Sequence, residues 1–126
     1  MSEARTHISG VRTVGIPVAD QERALAFYTG TLGLEKRLDV PFGEGRWLEV
    51  APAGAATSVA LVLTQAGDPI GVETGVRFAS KDVPADHAEL EAHGVDVDEL
   101  LSVPVAMFVF RDPDGNRLEI VEGGTR

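Results

Sequence analysis

Phe110-Arg111-Asp112-Pro113-Asp114-Gly115-Asn116-Arg117-Leu118-Glu119-Ile120 reads as a strand, a turn and a second strand. Pro113 pre-sets φ at the second turn position, the Asp residues accept turn geometry, and Gly115 supplies positive φ. In the strand that follows, period-2 alternation puts Glu119 on the opposite face from Leu118 and Ile120. If those two apolar residues pack on a helix, Glu119 points into whatever the other face encloses.

Working outward, the same order of elements occurs twice. Val11 to Val18 alternates, with Val14, Ile16 and Val18 on one face and Thr13, Gly15 and Pro17 on the other. Asp20 is an N-cap signal with Glu22 in the first turn, and a helix to about Leu32 would bury Leu25, Tyr28 and Leu32 before Gly33 stops it. Strands follow near 34–40, 46–51 and 58–64, separated by Pro41-Phe42-Gly43 and Pro52-Ala53-Gly54. The second unit has a strand at 73–79, an Asp82 cap with Pro84 in the first helical turn, and a helix reaching His93 and Gly94. A short strand near 95–100 and strands at 105–111 and 116–122 complete it. Both halves read β-α-β-β-β, an α+β arrangement. Residues 1–9 read as a loose arm and residues 10–123 as one domain, with module one at about 10–66 and module two at about 72–123.

Composition excludes several classes of function. The 126 residues suffice for one domain burying roughly two thirds of its unfolded surface. A net charge of −9 with no basic run argues against nucleic acid and anionic membrane surfaces as partners. No apolar stretch has the roughly 20 residues of a membrane span, and the expected location is cytoplasmic. With no cysteine, disulfides, thiolate metal sites and a Cys nucleophile are excluded. Asp112, Asp114 and Asn116 do not make a calcium loop, because the sixth position is Arg117 rather than Gly. No Ser lies in a Gly-x-Ser-x-Gly elbow, and His87 and His93 lack the i,i+4 spacing of a shared metal. Phe42-Gly43-Glu44-Gly45-Arg46 has no Walker lysine and reads as a hairpin tip over a cavity mouth.

Three motifs resemble the vicinal oxygen chelate superfamily of glyoxalases, extradiol dioxygenases and bleomycin-resistance proteins. They are Val18-Ala19-Asp20 with Ala24 to Tyr28 and Leu32-Gly33-Leu34; Gly75-Val76-Arg77-Phe78 leading to Asp82; and Phe110 to Ile120. The resemblance implies two βαβββ modules forming a curved mixed sheet around a cavity, helices on its outer face, with a second subunit completing the cavity. It also implies four metal-ligand positions, which fall here on Thr13, Val62, Gly75 and Glu119. Only Glu119 keeps a ligand side chain, and one carboxylate cannot hold zinc or iron. The expectation is therefore no metal and no cofactor.

On these strand assignments the cavity-facing residues include Thr13, Trp47, Glu49, Val62, Arg77 and Glu119. Phe108 and Phe110 either join that wall or pack under the helix, because a one-residue change in register swaps their faces. Trp47 offers a flat ring for a planar or aromatic ligand. Arg77 is expected to neutralise Glu119, either as a plain ion pair or as a clamp on a ligand carboxylate or carbonyl. The reading this favours is a metal-free binding protein for a small planar, aromatic or cationic molecule, with a homodimer closing the cavity. The alternatives are a metal-free enzyme using Glu119 as general base and, further off, a metal-dependent lyase, isomerase or dioxygenase.

Overall fold

The computed structural model describes residues 5–123, so part of the proposed arm, residues 1–4, lies outside it. Residues 5–9 are exposed and belong to no strand or helix.

In the first module, β1 (Thr13–Val18) buries Ile16 and Val18 and turns Thr13, Gly15 and Pro17 the other way. Asp20 caps the helix that follows, its side chain accepting from the Arg23 N–H at 3.0 Å. That helix has two parts, an α-helical turn α1 (Gln21–Leu25) and a π-helical segment Ala26–Thr31. The change follows from bonding: the Leu32 N–H reaches back five residues to the Phe27 carbonyl, and the Thr29 hydroxyl donates to the Leu25 carbonyl at 2.7 Å. The helix buries Gln21, Ala24 and Tyr28, with Leu25 and Leu32 at the core's edge rather than inside it as expected.

Gln21 tolerates burial because its amide is satisfied. It donates to the Arg46 and Leu61 carbonyls at 2.7 and 2.8 Å and accepts from the Arg46 N–H. Gly45 makes this approach possible, since a Cβ there would lie 2.6 Å from the Gln21 side-chain oxygen. Strands β2 (Glu35–Phe42), β3 (Gly45–Ala51) and β4 (Ser58–Leu63) complete a sheet ordered β1-β4-β3-β2, with β1 and β4 parallel. The hairpin tip expected over 42–46 is thus shorter, because Phe42 and Gly45 pair within the ladder.

The second module contains β5 (Glu73–Ser80), α2 (Val83–Ala92), β6 (Met107–Arg111) and β7 (Arg117–Glu122), with strands ordered β5-β7-β6. Asp82 caps α2 and His93 ends it. The strand expected at 95–100 is reduced to two bridges, Val97 to Phe110 and Leu101 to Met107. This segment carries Asp96, Asp98 and Glu99, residue types that strands disfavour, and the Asp98 carboxylate turns to Arg111 at 2.7 Å. It still lies along β6, so the spatial order first-fourth-third-second repeats that of module one.

The α+β architecture is as expected, but its strands form two sheets rather than one continuous sheet. One core unites them: Ile16, Leu48, Val50 and Leu61 from the first sheet meet Phe108, Phe110, Leu118 and Ile120 from the second. The helices pack on these core faces, with Phe27 stacked 6.4 Å from Phe110. Both sheets therefore turn their opposite faces away from the core.

The Asp112–Asn116 turn joins the modules. Asp112 Oδ1 accepts from the N–H groups of Asp114 and Asn116. Its Oδ2 accepts from the Tyr28 hydroxyl at 2.7 Å and from the Asn116 amide at 3.0 Å. Asn116, fully buried, donates on to the Pro17 carbonyl at the end of β1, and Asp114 takes the Ala19 N–H and the Arg23 guanidinium. Burial first, and the Asp112 carboxylate second, push the Tyr28 hydroxyl far above its ordinary range, so it remains a donor.

Candidate functional site

The outer face of the first sheet centres on a carboxylate that period-2 alternation puts there. Leu48 and Val50 enter the core, so Trp47 and Glu49 face out between β2 and β4. Glu49 is nonetheless only 2% exposed. Its Oε2 accepts from the Trp47 indole N–H at 2.7 Å and from Arg12 Nη1 at 3.0 Å, and its Oε1 accepts from the Ser58 hydroxyl at 2.9 Å. Burial is the largest influence on this carboxyl and raises its pKa. The hydrogen bonds from Trp47, Ser58 and Arg12 outweigh it and hold the group below the usual glutamate range. Glu49 is thus a fixed negative charge with its oxygens already engaged.

That charge orients its surroundings. The indole is pinned at its nitrogen and meets Phe42 edge-on at 5.6 Å. Thr13 lies beside Ser58, hydroxyl to hydroxyl at 2.9 Å, and Gly15 pairs in register with Ala60, which is fully buried. Val62 lies two residues beyond Ala60 on the same face. A depression of about 220 Å³ opens here, lined by Arg12, Arg37, Leu38, Glu49, Ala56 and Ser58. Behind the hairpin, Arg46 grips Asp39 with two nitrogens at 3.0 Å and Glu22 with a third. Hydrogen bonds from Arg46 and then Lys36 lower the Asp39 carboxyl to about 2, so this brace stays ionised.

The outer face of the second sheet holds Arg77 and Glu119. A bulge between Glu73 and Arg77 contains Gly75 at φ +76°, a conformation that glycine adopts without strain. The bulge brings Arg77 opposite Glu119, with Nε to Oε1 at 2.8 Å. The pair is open to solvent on the arginine side, which is 63% exposed.

Sequence reasoning therefore located six outer-face residues, but the chain divides them. Thr13, Trp47, Glu49 and Val62 share the first sheet; Arg77 and Glu119 share the second; both faces point away from the common core. The placement of Phe108 and Phe110 on the cavity wall is corrected. Both are 0% exposed, one against His87 and the other against Phe27, because β6 pairs with β7 in the register that turns them toward the helices. Arg12 was missed, one residue before β1. The signal that could have found it is the need of a covered Glu49 for a cation.

The superfamily's metal positions do not make a metal site with these residues. Thr13 and Val62 lie on one sheet, Gly75 and Glu119 on the other, and Glu119 is the one strong donor, already bonded to Arg77. Among the described residues no three His, Asp or Glu side chains gather to hold an ion. A second cleft, about 300 Å³, lies between the modules and is lined by Leu34, Phe78, Asp86, Glu89 and Leu90 among others. None of the candidate binding residues named from the sequence lines it, although the Leu32-Gly33-Leu34 motif does. Among the described residues, no helix is long and apolar enough to cross a membrane.

Two modules of this topology, each a helix packed on one face of a sheet whose other face is open, define the glyoxalase/bleomycin-resistance fold. The chain belongs to the Glyoxalase/Bleomycin resistance protein/Dioxygenase superfamily, whose sequence profile matches residues 7–120. It is similar to TnmS3, an antibiotic binding protein from Streptomyces sp. CB03234. They share 39% identity over 95% of this chain and 100% of that one, with a TM-score of 0.85. A superfamily member from Sphaerobacter thermophilus DSM 20745 has 36% identity over 94% of this chain and 100% of its own, at TM-score 0.83. The protein YetH of Bacillus subtilis (strain 168) is 36% identical over 118 residues, 86% of this chain and 94% of YetH.

Proposed function

We propose that this protein binds a small planar or aromatic molecule on the outer face of its first sheet, without a metal ion. The observation that carries the reading is the Trp47 indole, locked through its N–H to Glu49, a buried carboxylate that lines the depression of about 220 Å³. A ring held in one orientation loses little entropy when a flat ligand stacks on it. The likeness to an antibiotic binding protein supports a small-molecule ligand. Glu119 as a general base has weaker support, since its Oε1 is engaged by Arg77.

The binding site is completed by a second copy. Each outer face is a half-site open on one side, and β1 and β5 each have a single strand neighbour. In a C2 homodimer, Arg77 and Glu119 of one protomer would lie across from Trp47 of the other. The cytoplasm is the proposed setting.

The test is a titration of the chain's single tryptophan fluorescence with a panel of planar compounds, alongside light scattering for mass. Saturable quenching by at least one compound at dimer mass is expected. Absence of quenching across the panel contradicts the binding reading, and monomer mass at all concentrations contradicts the closed site.

A further inference from the structure

The geometry points to Arg12 as the residue that sets ligand specificity, by selecting planar molecules that carry an anionic oxygen. The inference rests on the binding role proposed above and narrows its ligand class.

Glu49 has nothing left to offer a ligand. It is 2% exposed, and its two oxygens accept three hydrogen bonds from Trp47, Arg12 and Ser58. A cationic ligand would therefore find no free carboxylate in this depression. The guanidinium presents the reverse case. Arg12 is 72% exposed and spends Nη1 on Glu49; among the described residues its other N–H groups have no acceptor. Arginine's planar fork suits a carboxylate, which it can bind with two parallel bonds.

The placement is as specific as the chemistry. Arg12 Nη1 and Trp47 Nε1 converge on the same oxygen, Glu49 Oε2, at 3.0 and 2.7 Å. A ring stacked near the indole would thus bring a substituent toward the guanidinium, which lines the depression. Arg37 lines the same depression and is held there by bonds to the Pro52 and Ala55 carbonyls. Two guanidinium groups and one carboxylate line the depression in a chain whose net charge is −9. Arg37 thus spends both Nη groups on carbonyls and faces Glu35 with its Nε at 3.6 Å, leaving Arg12 as the guanidinium with donors to spare.

The test uses three compounds of one shape: naphthalene-2-carboxylate, 2-naphthamide and 2-naphthylmethylammonium, titrated against Trp47 fluorescence at neutral pH. In the native protein the carboxylate should bind at least about tenfold more tightly than the ammonium, about 1.4 kcal/mol. In Arg12→Met that preference should fall below about threefold, and Arg12→Lys should restore part of it. Melting temperature should fall in Arg12→Met, because the covered Glu49 loses its cation, and should be largely kept in Arg12→Lys, which retains one. A measurement on the native protein stands apart from any variant: raising salt should weaken the carboxylate and leave the amide unchanged. Equal or tighter ammonium binding, a preference that survives in Arg12→Met, or salt-independent carboxylate binding overturns the inference while leaving the binding reading intact. No response to any of the three compounds removes both.

Discussion

The two sheets share a topology yet treat an outward-facing glutamate in opposite ways. On the first, Glu49 is covered and receives three donors. On the second, Glu119 pairs with a single arginine that is 63% exposed. The first arrangement fixes the positions of an indole and a guanidinium, so its charge serves to organise a surface. The second is a pair of long side chains in high dielectric, where Coulomb attraction is weak and largely offset by ordering cost. Outward-facing glutamates on β3 and β7 thus differ in what the charge accomplishes, and burial decides which.

The comparison depends on the clasp that keeps both outer faces turned from the core, and breaking it should have the largest effect. Asp112→Ala removes the acceptor of four hydrogen bonds and leaves the Tyr28 hydroxyl and Asn116 amide buried without it. A loss of about 3 kcal/mol or more in urea unfolding is expected. A loss below about 1 kcal/mol would mean the modules hold together without the turn.

Next comes the carboxylate itself. Glu49→Ala should cost about 2 kcal/mol and release the indole, seen as a shift of its N–H resonance. Unchanged indole chemical shift would contradict the pinning. Acid should act on the same group. Because its folded pKa is depressed, the stability Glu49 contributes is fully present above its ordinary value of 4.5. It should be lost as pH falls from there through the lower folded value. Glu49→Gln should lack that component of the acid limb, and identical acid profiles for the two proteins would refute the assignment.

The smallest effect sharpens the contrast from the other side. Arg77→Leu should change stability by no more than about 0.5 kcal/mol, as exposed pairs do. A cost near that of Glu49→Ala would erase the difference between the faces.

Most of the architecture was legible because its signals are local. Alternation in β1 and β7, the Asp20 and Asp82 caps and the glycine stops all act within a few residues, and they gave the element order of both modules. What stayed hidden was long-range. Asp112 to Asn116 reads as a turn in any sequence; its bonds to Tyr28 and Pro17 reach across 84 and 99 positions. The side taken by Phe108 and Phe110 depends on one residue of register, which the unbroken apolar run Met107 to Phe110 does not specify. Alternation puts Glu49 on the outer face, but its cation, Arg12, lies 37 positions away on another segment. A covered carboxylate needs such a cation, and Glu49 needs it more than the partly exposed Glu119 does.

One spectrum tests the central claim most directly: the amide and indole N–H resonances of labelled protein during titration with naphthalene-2-carboxylate. The account predicts saturable shifts of the single Trp47 indole signal together with Thr13, Gly15, Glu49, Ala60 and Val62. Shifts confined to the cleft around Phe78, Asp86 and Leu90, with the indole signal unmoved, would contradict it.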